Sequence, residues 1–405
     1  MSIKLNSKRI SKISEPVSQN LLSRVKFLKN KGVKIHDFSK QRNVPNEAIE
    51  NAIKSLKSSD GNLSTDIRGS LELRKSIAQK VYNYNALDID PEKNIVVTVG
   101  AKEAILSTFL AILDYGDEVI VEDPGYLSFE PLINLVGAKP IHLQLNKKNN
   151  FKFLINELRK KISSKTKLLL LCNPHNPTGR CFSRDDLAEI SKVCVEHDIF
   201  VLSDEAYEHF VFDKNKHLSI ASFPGMFERT ITIQTVSKIY NMSGWRIGWA
   251  ISHDEIITKI LLAHSHVVTS PTSFSQAGVI PVLEKNIGEG GEAINKIVDR
   301  YQEQRDIMVS LLQSISGVEC HLPEGTFFAF PDISSYGSNS IEISNYLLNH
   351  YKVATVPGNA FGPSGEGFLR LVFKSDVKAI HSGILQMKNG LEFFKRSLVR
   401  SKYEL

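Results

Sequence analysis

The sequence predicts an α/β protein with a mainly parallel seven-stranded sheet between helices, followed by a smaller α+β unit. Short β-branched runs alternate with helical runs between residues 94 and 252 of the 405-residue chain. This alternation is typical of a parallel sheet that is covered on both faces. A long helical run at residues 290–314 then breaks the pattern, and shorter mixed elements follow it.

Seven candidate strands follow one another along the first unit. Each is a run of apolar and β-branched residues bounded by glycine, proline or polar residues. They cover residues 94–99, 118–122, 140–145, 167–171, 199–203, 230–234 and 249–252. Helical runs at residues 101–113 and 185–197 separate neighbouring strands. Since ligands of such sheets bind at the carboxyl ends of the strands, the polar residues that follow each run are candidate site residues.

The second unit begins with the long helical run. Its other predicted elements are helices at residues 340–351 and 377–396 and strands at residues 353–356 and 368–373. We therefore predict three regions along the chain. They are an N-terminal arm with part of the small domain (1–45), a large domain (46–289) and a small C-terminal domain (290–405).

Composition excludes several classes of protein. Hydrophobic residues make up 42% and charged residues 23%, which is ordinary for a soluble globular domain. The net charge of +6 is spread along the chain, so we expect no nucleic-acid partner. No apolar run approaches the roughly 20 residues that span a bilayer, so we expect no membrane partner. The four cysteines lack pair or metal-ligand spacing, which predicts reduced thiols, a cytoplasmic location and no metal.

Residues 235–249 carry the most informative pattern. Lys238 lies among the hydroxyl residues Thr235 and Ser237, and Arg246 follows eight positions later in a Gly/Trp-rich stretch. A lysine amine can form a Schiff base with an aldehyde, and an arginine can bind a phosphate with two hydrogen bonds. Pyridoxal phosphate (PLP) carries both groups, so the segment favours PLP as cofactor.

Three further motifs follow predicted strands. Asn176 lies in the tight turn 173–179, where its amide can donate to a phenolate oxygen. Asp204 can hold a pyridinium nitrogen protonated, and Tyr207 can reach the same phenolate. Residues 100–102 open a helix, where backbone N–H groups suit a phosphate. Taken singly, each has a simpler explanation as a turn or a helix cap.

Together these motifs resemble the class I aminotransferases, which are aspartate-aminotransferase-like PLP enzymes of fold type I. The stretches Asn-Pro-His-Asn-Pro-Thr-Gly, Asp-Glu-Ala-Tyr and Ser-Lys with Gly-Trp-Arg-Ile-Gly occur in the family's order and spacing. The resemblance runs from about Leu21 to the C-terminal helix. It implies fold type I, PLP as cofactor and a homodimer. The N-terminal arm also has an apolar face (Leu21, Leu22, Val25, Leu28) without an obvious partner in its own core, which favours the homodimer.

The resemblance also implies roles for the catalytic and ring-binding residues. Lys238 matches the lysine that holds PLP as a Schiff base and carries the proton. Asp204 matches the partner of the pyridine nitrogen, and Asn176 and Tyr207 match the partners of the ring oxygen. Tyr126, in Pro-Gly-Tyr, matches the aromatic residue that stacks on the ring.

Phosphate and substrate positions are implied in the same way. The phosphate-binding positions are Gly100, Ala101, Lys102, Thr235, Ser237 and Arg246. Arg370, in Phe-Leu-Arg-Leu, matches the arginine that binds the substrate α-carboxylate, with a surface ion pair as the simpler alternative. Arg42 or Lys40 would read the far end of the substrate and favour acidic or strongly polar side chains. The alternative for Arg42 is a solvated loop charge.

Two segments depart from the family pattern. Ser64 stands where the family commonly has a tyrosine that reaches the phosphate of the partner subunit. Residues 38–45 replace the usual Gly-x-Pro-Asp stretch, which normally covers the substrate. Both departures bear on the substrate and the dimer more than on the cofactor.

Three functions stay open on sequence alone. The first is an aminotransferase that moves an amino group between an L-amino acid and a 2-oxo acid by a ping-pong mechanism. The second is another PLP reaction on the same scaffold, such as elimination, cyclisation, an aminocyclopropane-type synthase or an oxidase; the two departures favour it. The third is a non-enzymatic regulator or ligand-binding module, which the presence of Lys238 and the lack of a DNA-binding extension before Leu21 disfavour.

Overall fold

The computed structural model describes residues 7, 9–13, 17–39, 42–152, 154–285, 291–337 and 339–403. Twelve α-helices lie within these ranges. They are α1 (Val17–Asn30), α2 (Asn46–Lys57), α3 (Leu71–Asn85), α4 (Ala101–Ile112), α5 (Phe129–Val136), α6 (Ile155–Lys161), α7 (Arg184–Glu196), α8 (Asp254–Val267), α9 (Ser273–Lys285), α10 (Gly291–Gln313), α11 (Ser340–Tyr346) and α12 (Val377–Tyr403).

Ten strands in the same ranges form two sheets. They are β1 (Ile95–Thr98), β2 (Glu118–Asp123), β3 (Lys139–Gln144), β4 (Thr166–Cys172), β5 (Phe200–Asp204), β6 (Thr230–Thr235), β7 (Gly248–Ile251), β8 (Phe328–Ala329), β9 (Val356–Pro357) and β10 (Leu369–Val372). The first sheet has the order β1-β7-β6-β5-β4-β2-β3, and the second has the order β8-β10-β9. The predicted seven-stranded sheet is therefore confirmed.

The large sheet is parallel except at one strand. β2, β3, β4, β5 and β6 pair in parallel, whereas β7 runs antiparallel to both β6 and β1. Six strands thus point the same way, and their carboxyl ends meet at one edge. This edge carries most of the predicted site residues.

Burial on both faces explains the sequence of the central strand β4. Leu168, Leu169, Leu170 and Leu171 are each at most 1% exposed, with Leu168 and Leu170 in one apolar cluster and Leu169 and Leu171 in another. Each such side chain contributes roughly 1.5–3 kcal/mol when it is buried. A continuous run of leucine is what a strand covered by helices on both sides requires.

Local signals position the helix that follows β4. The Ser183 hydroxyl accepts a hydrogen bond from the Asp186 backbone N–H at 3.1 Å. The Asp186 carboxylate accepts one from the Ser183 N–H at 2.9 Å. This reciprocal capping fixes the start of α7 at Arg184, one residue before the predicted start.

The second sheet and the last helices form the smaller unit. The predicted helix 340–351 divides into α11 and one π-helical turn, Leu347–Tyr351. The predicted strand 353–356 is only β9, displaced toward the C-terminus, and α12 extends beyond its predicted end at 396. The predicted domain boundary at 289/290 lies outside the described residues, and the division into domains stays a prediction.

The N-terminal helix α1 packs on its own chain. Val25 is 5% exposed in an apolar cluster with Ile35, Leu348 and Ala354, and Leu28 packs against the same cluster. The sequence suggests that the apolar face of this helix lacks a partner within the chain. That expectation is wrong for Leu21, Val25 and Leu28, whereas Leu22 is 62% exposed. α1 covers the smaller unit and gives no support for a dimer.

Among the described residues, no helix has both the length and the apolar character needed to cross a bilayer. The four cysteines are free thiols. The cytoplasmic location stays a prediction.

Candidate active site

The predicted site residues gather at the carboxyl edge of the large sheet. Gly100 follows β1, Tyr126 follows β2 and Asn176 follows β4, while Asp204 is the last residue of β5. Lys238 follows β6 by three residues. Because these strands are parallel neighbours or share an edge, residues up to 138 positions apart in sequence meet at one place.

Gly100 and Arg246 form one side of a cradle. Gly100 precedes α4 with φ +78°, and a Cβ atom built on it would lie 2.4 Å from the Arg246 guanidinium. Only glycine therefore allows the guanidinium to lie over the start of α4. Arg246 donates to the Ser243 and Val99 carbonyl oxygens at 2.9 and 3.2 Å. The guanidinium is held where the N–H groups of the first helical turn converge.

Two hydroxyl side chains lie near the segment that carries Arg246. The Thr235 and Ser237 hydroxyls are 2.8 Å apart, and the Thr235 hydroxyl donates to the Ile247 carbonyl at 2.8 Å. Burial and the charge of Arg246 lower the pKa of Lys102. Two neighbouring cations, hydroxyl groups and a helix N-terminus make a cradle suited to a dianion such as a phosphate.

Lys238 and Asp204 carry opposite charges, and each affects the pKa of the other. Burial lowers the pKa of Lys238 to about 8, although the negative charge of Asp204 acts in the other direction. Burial raises the pKa of Asp204 to about 6, opposed by a hydrogen bond from the Ala206 N–H and by the charge of Lys238. At neutral pH the carboxylate is mostly ionised and the amine mostly protonated. The amine nevertheless loses its proton within about one pH unit of neutrality.

Arg370 extends from β10 of the second sheet toward this edge. Its Nη1 donates to Asn176 Oδ1 at 2.9 Å, and its guanidinium lies 4.2 Å from the Phe328 ring centroid and 4.7 Å from the Phe361 ring centroid. Its Nε is buried without a hydrogen-bond partner among the residues described. Burial lowers the pKa of Arg370 to about 10. A half-buried cation with an unused donor suits a carboxylate ligand and disfavours a surface ion pair.

Two tyrosines lie near Arg370, and one of them also lies beside Lys238. The Lys238 Nζ lies 5.3 Å from the Tyr207 ring centroid, and Tyr207 is 5% exposed. Burial raises the pKa of both Tyr207 and Tyr126, and the charge of Arg370 acts on both hydroxyls. The two rings therefore lie around the same arginine. Both hydroxyls stay protonated at neutral pH and can donate.

A buried polar network anchors the turn that carries Asp204 and Tyr207. The Glu208 carboxylate pairs with the Lys80 ammonium, which is 4% exposed, and accepts from Asn85 Nδ2 at 2.9 Å. The Gln234 Nε2 donates to both Glu205 and Glu208, at 3.1 and 3.0 Å. The carboxylates of Glu205 and Glu208 are thus held by side chains of α3 and β6.

The same network contains the one group of three metal-ligating side chains found among the described residues. Ligand atoms of Glu205, Glu208 and His217 lie within 4.8 Å of one another. The carboxylates already accept hydrogen bonds from the amide and ammonium groups, and Ser219 donates to Glu205 at 2.7 Å. We interpret the group as a hydrogen-bonded support for the turn.

A second buried network supports the Asn176 turn. The Arg180 Nη2 donates to Glu122 Oε1 at 2.7 Å, and burial raises the pKa of Glu122 to about 7. His175 Nδ1 lies 2.7 Å from the Thr178 hydroxyl, and its Nε2 lies 3.6 Å from Glu122. Sequence reasoning missed both networks, although Glu205, His175 and Thr178 lie inside the quoted motifs.

Arg42 is the predicted site residue that does not join the others. Its Nη2 donates to the Ile239 carbonyl at 2.7 Å, and its guanidinium lies 5.5 Å from the Tyr301 ring centroid. It lines a cavity of about 300 Å³ whose lining includes no other predicted site residue. Lys40 lies outside the described residues. Ser64 is exposed.

Comparison with known proteins gives a consistent result. The family described as aminotransferase class I and II matches residues 33–382. An aspartate aminotransferase of Pyrococcus abyssi is 38% identical over 323 residues, which are 80% of this chain and 82% of the relative. An aromatic-amino-acid aminotransferase of Thermococcus litoralis is 33% identical over 361 residues, covering 89% and 91%.

Solved structures agree with the sequence relatives. The structure of the Thermus thermophilus aspartate aminotransferase with maleate superposes with a TM-score of 0.88 at 27% identity, covering 96% of this chain and 100% of that one. The N-succinyldiaminopimelate aminotransferase of Mycobacterium tuberculosis superposes with a TM-score of 0.87 at 28% identity, covering 95% and 100%.

The cradle generates a prediction for Gly100→Ala. The new methyl group meets the Arg246 guanidinium, whereas Gly116→Ala introduces the same kind of positive-φ strain with nothing within 4 Å of its Cβ. Each substitution should lower the free energy of unfolding by roughly 1–3 kcal/mol. Only Gly100→Ala should also weaken PLP binding, measured by equilibrium titration of the apoenzyme. Equal PLP affinities for the two variants would contradict the assignment of the cradle.

The Lys238–Asp204 pair generates a prediction for pH dependence. The charge of Asp204 raises the pKa of Lys238, so Asp204→Asn should lower that pKa below its value of about 8. Since the neutral amine reacts with the aldehyde, the pH midpoint for covalent capture of PLP by the apoenzyme should fall. The exposed Asp185→Asn serves as control and should leave the midpoint unchanged. A midpoint that rises in Asp204→Asn would refute the pairing.

Proposed function

The chain belongs to the class I and II aminotransferase family and is a PLP-dependent aminotransferase, and from this premise we propose which residues carry the reaction. The main support for the proposal is that the oppositely charged Lys238 and Asp204 lie at one edge of the sheet. Arg370 reaches the same edge through its hydrogen bond to Asn176. The alternative PLP reactions are not favoured, because the relatives are named aminotransferases.

Lys238 is the residue that holds the cofactor covalently and moves the proton. PLP, when bound, supplies an electron sink that stabilises the charge left at the substrate Cα. The Lys238 amine has a pKa of about 8, so it can take a proton from the Cα and return one near neutral pH. General acid–base catalysis of this kind typically contributes roughly 10²–10⁴-fold.

Asp204 and the neighbouring polar side chains would orient the ring. Asp204 is buried at the end of β5, so its carboxylate is available to keep the ring nitrogen protonated. Asn176 and the Tyr207 hydroxyl would donate to the ring oxygen, and Tyr126 would stack on the ring. The phosphate would be held by the cradle residues Gly100, Ala101, Lys102, Thr235, Ser237 and Arg246.

Arg370 would bind the substrate α-carboxylate. Its free Nε and its hydrogen bond to Asn176 leave the planar guanidinium edge available for a two-bond contact. Arg42 would favour a substrate with an acidic or strongly polar side chain. The support for this second role is that Arg42 is hydrogen-bonded to Ile239, the residue after Lys238.

The active unit would be a homodimer. One face of α2 supports it, because Ile49, Ile53 and Leu56 are 42–46% exposed at helical spacing, and Leu63 beyond the helix is 63% exposed. The opposite face of α2 packs on α9. A second copy of the chain is the occupant that would cover this apolar strip, since obligate dimers bury apolar surface.

Transamination requires both an amino acid and a 2-oxo acid. With PLP-loaded enzyme, we expect sustained turnover only when both are present, and one turnover at most with the amino acid alone. Initial rates at varied concentrations should give parallel double-reciprocal lines. Sustained release of ammonia or consumption of oxygen without a 2-oxo acid would instead identify one of the alternative reactions.

Arg370→Lys should weaken all amino-acid substrates alike. Lysine keeps the charge but lacks the planar pair of donors. We expect kcat/KM to fall roughly thirtyfold, which corresponds to a loss of about 2 kcal/mol of transition-state stabilisation. PLP affinity should be unchanged. A primary amine without a carboxylate serves as the control substrate, because its slow turnover should not respond to the substitution. Equal losses for amine and amino acids would remove Arg370 from carboxylate binding.

Ile53→Lys should weaken the dimer and lower activity at low enzyme concentration. The matched control is Leu385→Lys, which places the same charge at a residue of α12 that is 56% exposed. Analytical ultracentrifugation at micromolar concentration measures the effect. A wild-type protein that is monomeric, PLP-loaded and active would exclude the dimer.

A further inference from the structure

A cluster of cations lines the cavity that holds Arg42. The cavity has a volume of about 300 Å³ and lies between the segment at Arg42, helix α10 and the residues after β10. Arg300 and Tyr301 contribute from α10, and Lys374 contributes from the chain after β10. None of the family motifs quoted above includes Arg300 or Lys374.

The positive charges of this cluster are not neutralised by acidic neighbours. Burial, then the positive charges of Arg42 and Lys238, lower the pKa of Lys374 to about 8. In the part of the chain that the structure describes, no ion pair joins Arg42, Arg300 or Lys374 to a carboxylate. Two half-buried cations that repel each other are a costly arrangement unless an anion is shared between them.

Arg42 has a donor left over inside the cavity wall. Its Nη2 is fixed by the Ile239 carbonyl, but its Nε is buried and finds no hydrogen-bond partner among the described residues. A buried donor without a partner costs roughly 1–3 kcal/mol. The Ile239 carbonyl and the Tyr301 ring hold the guanidinium in the cavity wall, where its remaining N–H groups can bind an oxygen ligand.

The cluster is connected to the turn that carries Lys238. The Lys374 Nζ donates to Asn241 Oδ1 at 2.9 Å, and the Asn241 Nδ2 donates to the Arg42 carbonyl. The Asn241 N–H in turn donates to the Lys238 carbonyl at 3.2 Å. A ligand held by these cations would therefore lie next to Asn241, which is hydrogen-bonded to the turn that carries Lys238.

We propose that Arg42, Arg300 and Lys374 form an oxyanion-binding site beside the catalytic centre, which takes a carboxylate or a phosphate. A guanidinium and an ammonium that converge on one cavity provide the donors and charge that these anions require. The anion can come from a second acidic group of the substrate or from a free ion in solution. The proposal rests on the proposed function only in placing Lys238 at the centre of the reaction.

The first arm of the test titrates inorganic phosphate into PLP-loaded enzyme by calorimetry. PLP fills its own phosphate cradle, so the titration reports on other sites. Lys374→Met and Arg300→Gln should each weaken phosphate binding roughly tenfold, the loss typical of one charged hydrogen bond. Lys296→Met is the matched control, since Lys296 lies one turn before Arg300 on α10 but pairs with Glu292 outside the cavity. A third variant, Arg42→Gln, tests the remaining cation of the cluster. If Arg42→Gln does not fold, Lys374→Met and Arg300→Gln are sufficient for the test.

The second arm compares kcat/KM for glutamate and glutamine. If the anion belongs to the substrate, the two cavity variants should lose roughly tenfold in the preference for glutamate, and Lys296→Met should lose none.

Phosphate binding that is lost in the cavity variants identifies a free anion, and a lost preference for glutamate identifies the substrate. Unchanged phosphate binding together with unchanged preference, or no binding and no change in preference, would overturn the site. The phosphate arm needs no turnover, so it can be evaluated even if the proposed catalytic roles fail.

Discussion

Asp204 and Lys238 place two opposite charges at one edge of the large sheet, and the surrounding elements have to hold both in position. Asp204 ends β5 and Lys238 follows the adjacent strand β6, and burial there raises the pKa of Asp204 and lowers the pKa of Lys238. The charge of Asp204 raises the pKa of Lys238, and the Ala206 N–H and the charge of Lys238 lower the pKa of Asp204, so each group favours the charged form of the other. The fold must therefore hold the ends of β5 and β6 in register. The network of Lys80, Glu205 and Glu208 fixes the turn after β5 from beneath.

Positive charge dominates the remainder of the site. Arg246 and Lys102 lie at the start of α4, and Arg370 lies beside Asn176 with an unused donor. Asp204 is the carboxylate that acts on Lys238 from inside the site. An anionic cofactor and an anionic substrate would neutralise these cations in separate places. The cations around Arg42 lie apart from these groups and would neutralise a further acidic group of the substrate or a free anion.

The sequence predicted features that depend on local pattern. The leucines of β4 specify a strand covered on both faces, and the strand ends located Gly100, Asn176, Asp204 and Lys238 at one edge. The family resemblance, the fold class, the aminotransferase function and PLP are confirmed. The roles of the individual residues stay predictions.

Features that depend on distant contacts were not predicted. The pair of Lys80 and Glu208 joins residues 128 positions apart, and no local pattern distinguishes Lys80 from a solvated lysine of α3. The apolar face of α1 was misassigned for the same reason, because its partners Leu348 and Ala354 come from the other end of the chain. The contacts of Arg42 with Ile239 and Tyr301 were likewise not predicted, and its role at the far end of the substrate stays a prediction.

The lysine that carries the reduced cofactor decides whether Lys238 holds PLP. The PLP-loaded enzyme is reduced with borohydride, digested with trypsin and mapped by mass spectrometry. We expect the reduced cofactor on Lys238, because the amine of Lys238 lies near the charge of Asp204 and has a pKa of about 8. Reduced cofactor on a different lysine, such as Lys102 or Lys374, would contradict it.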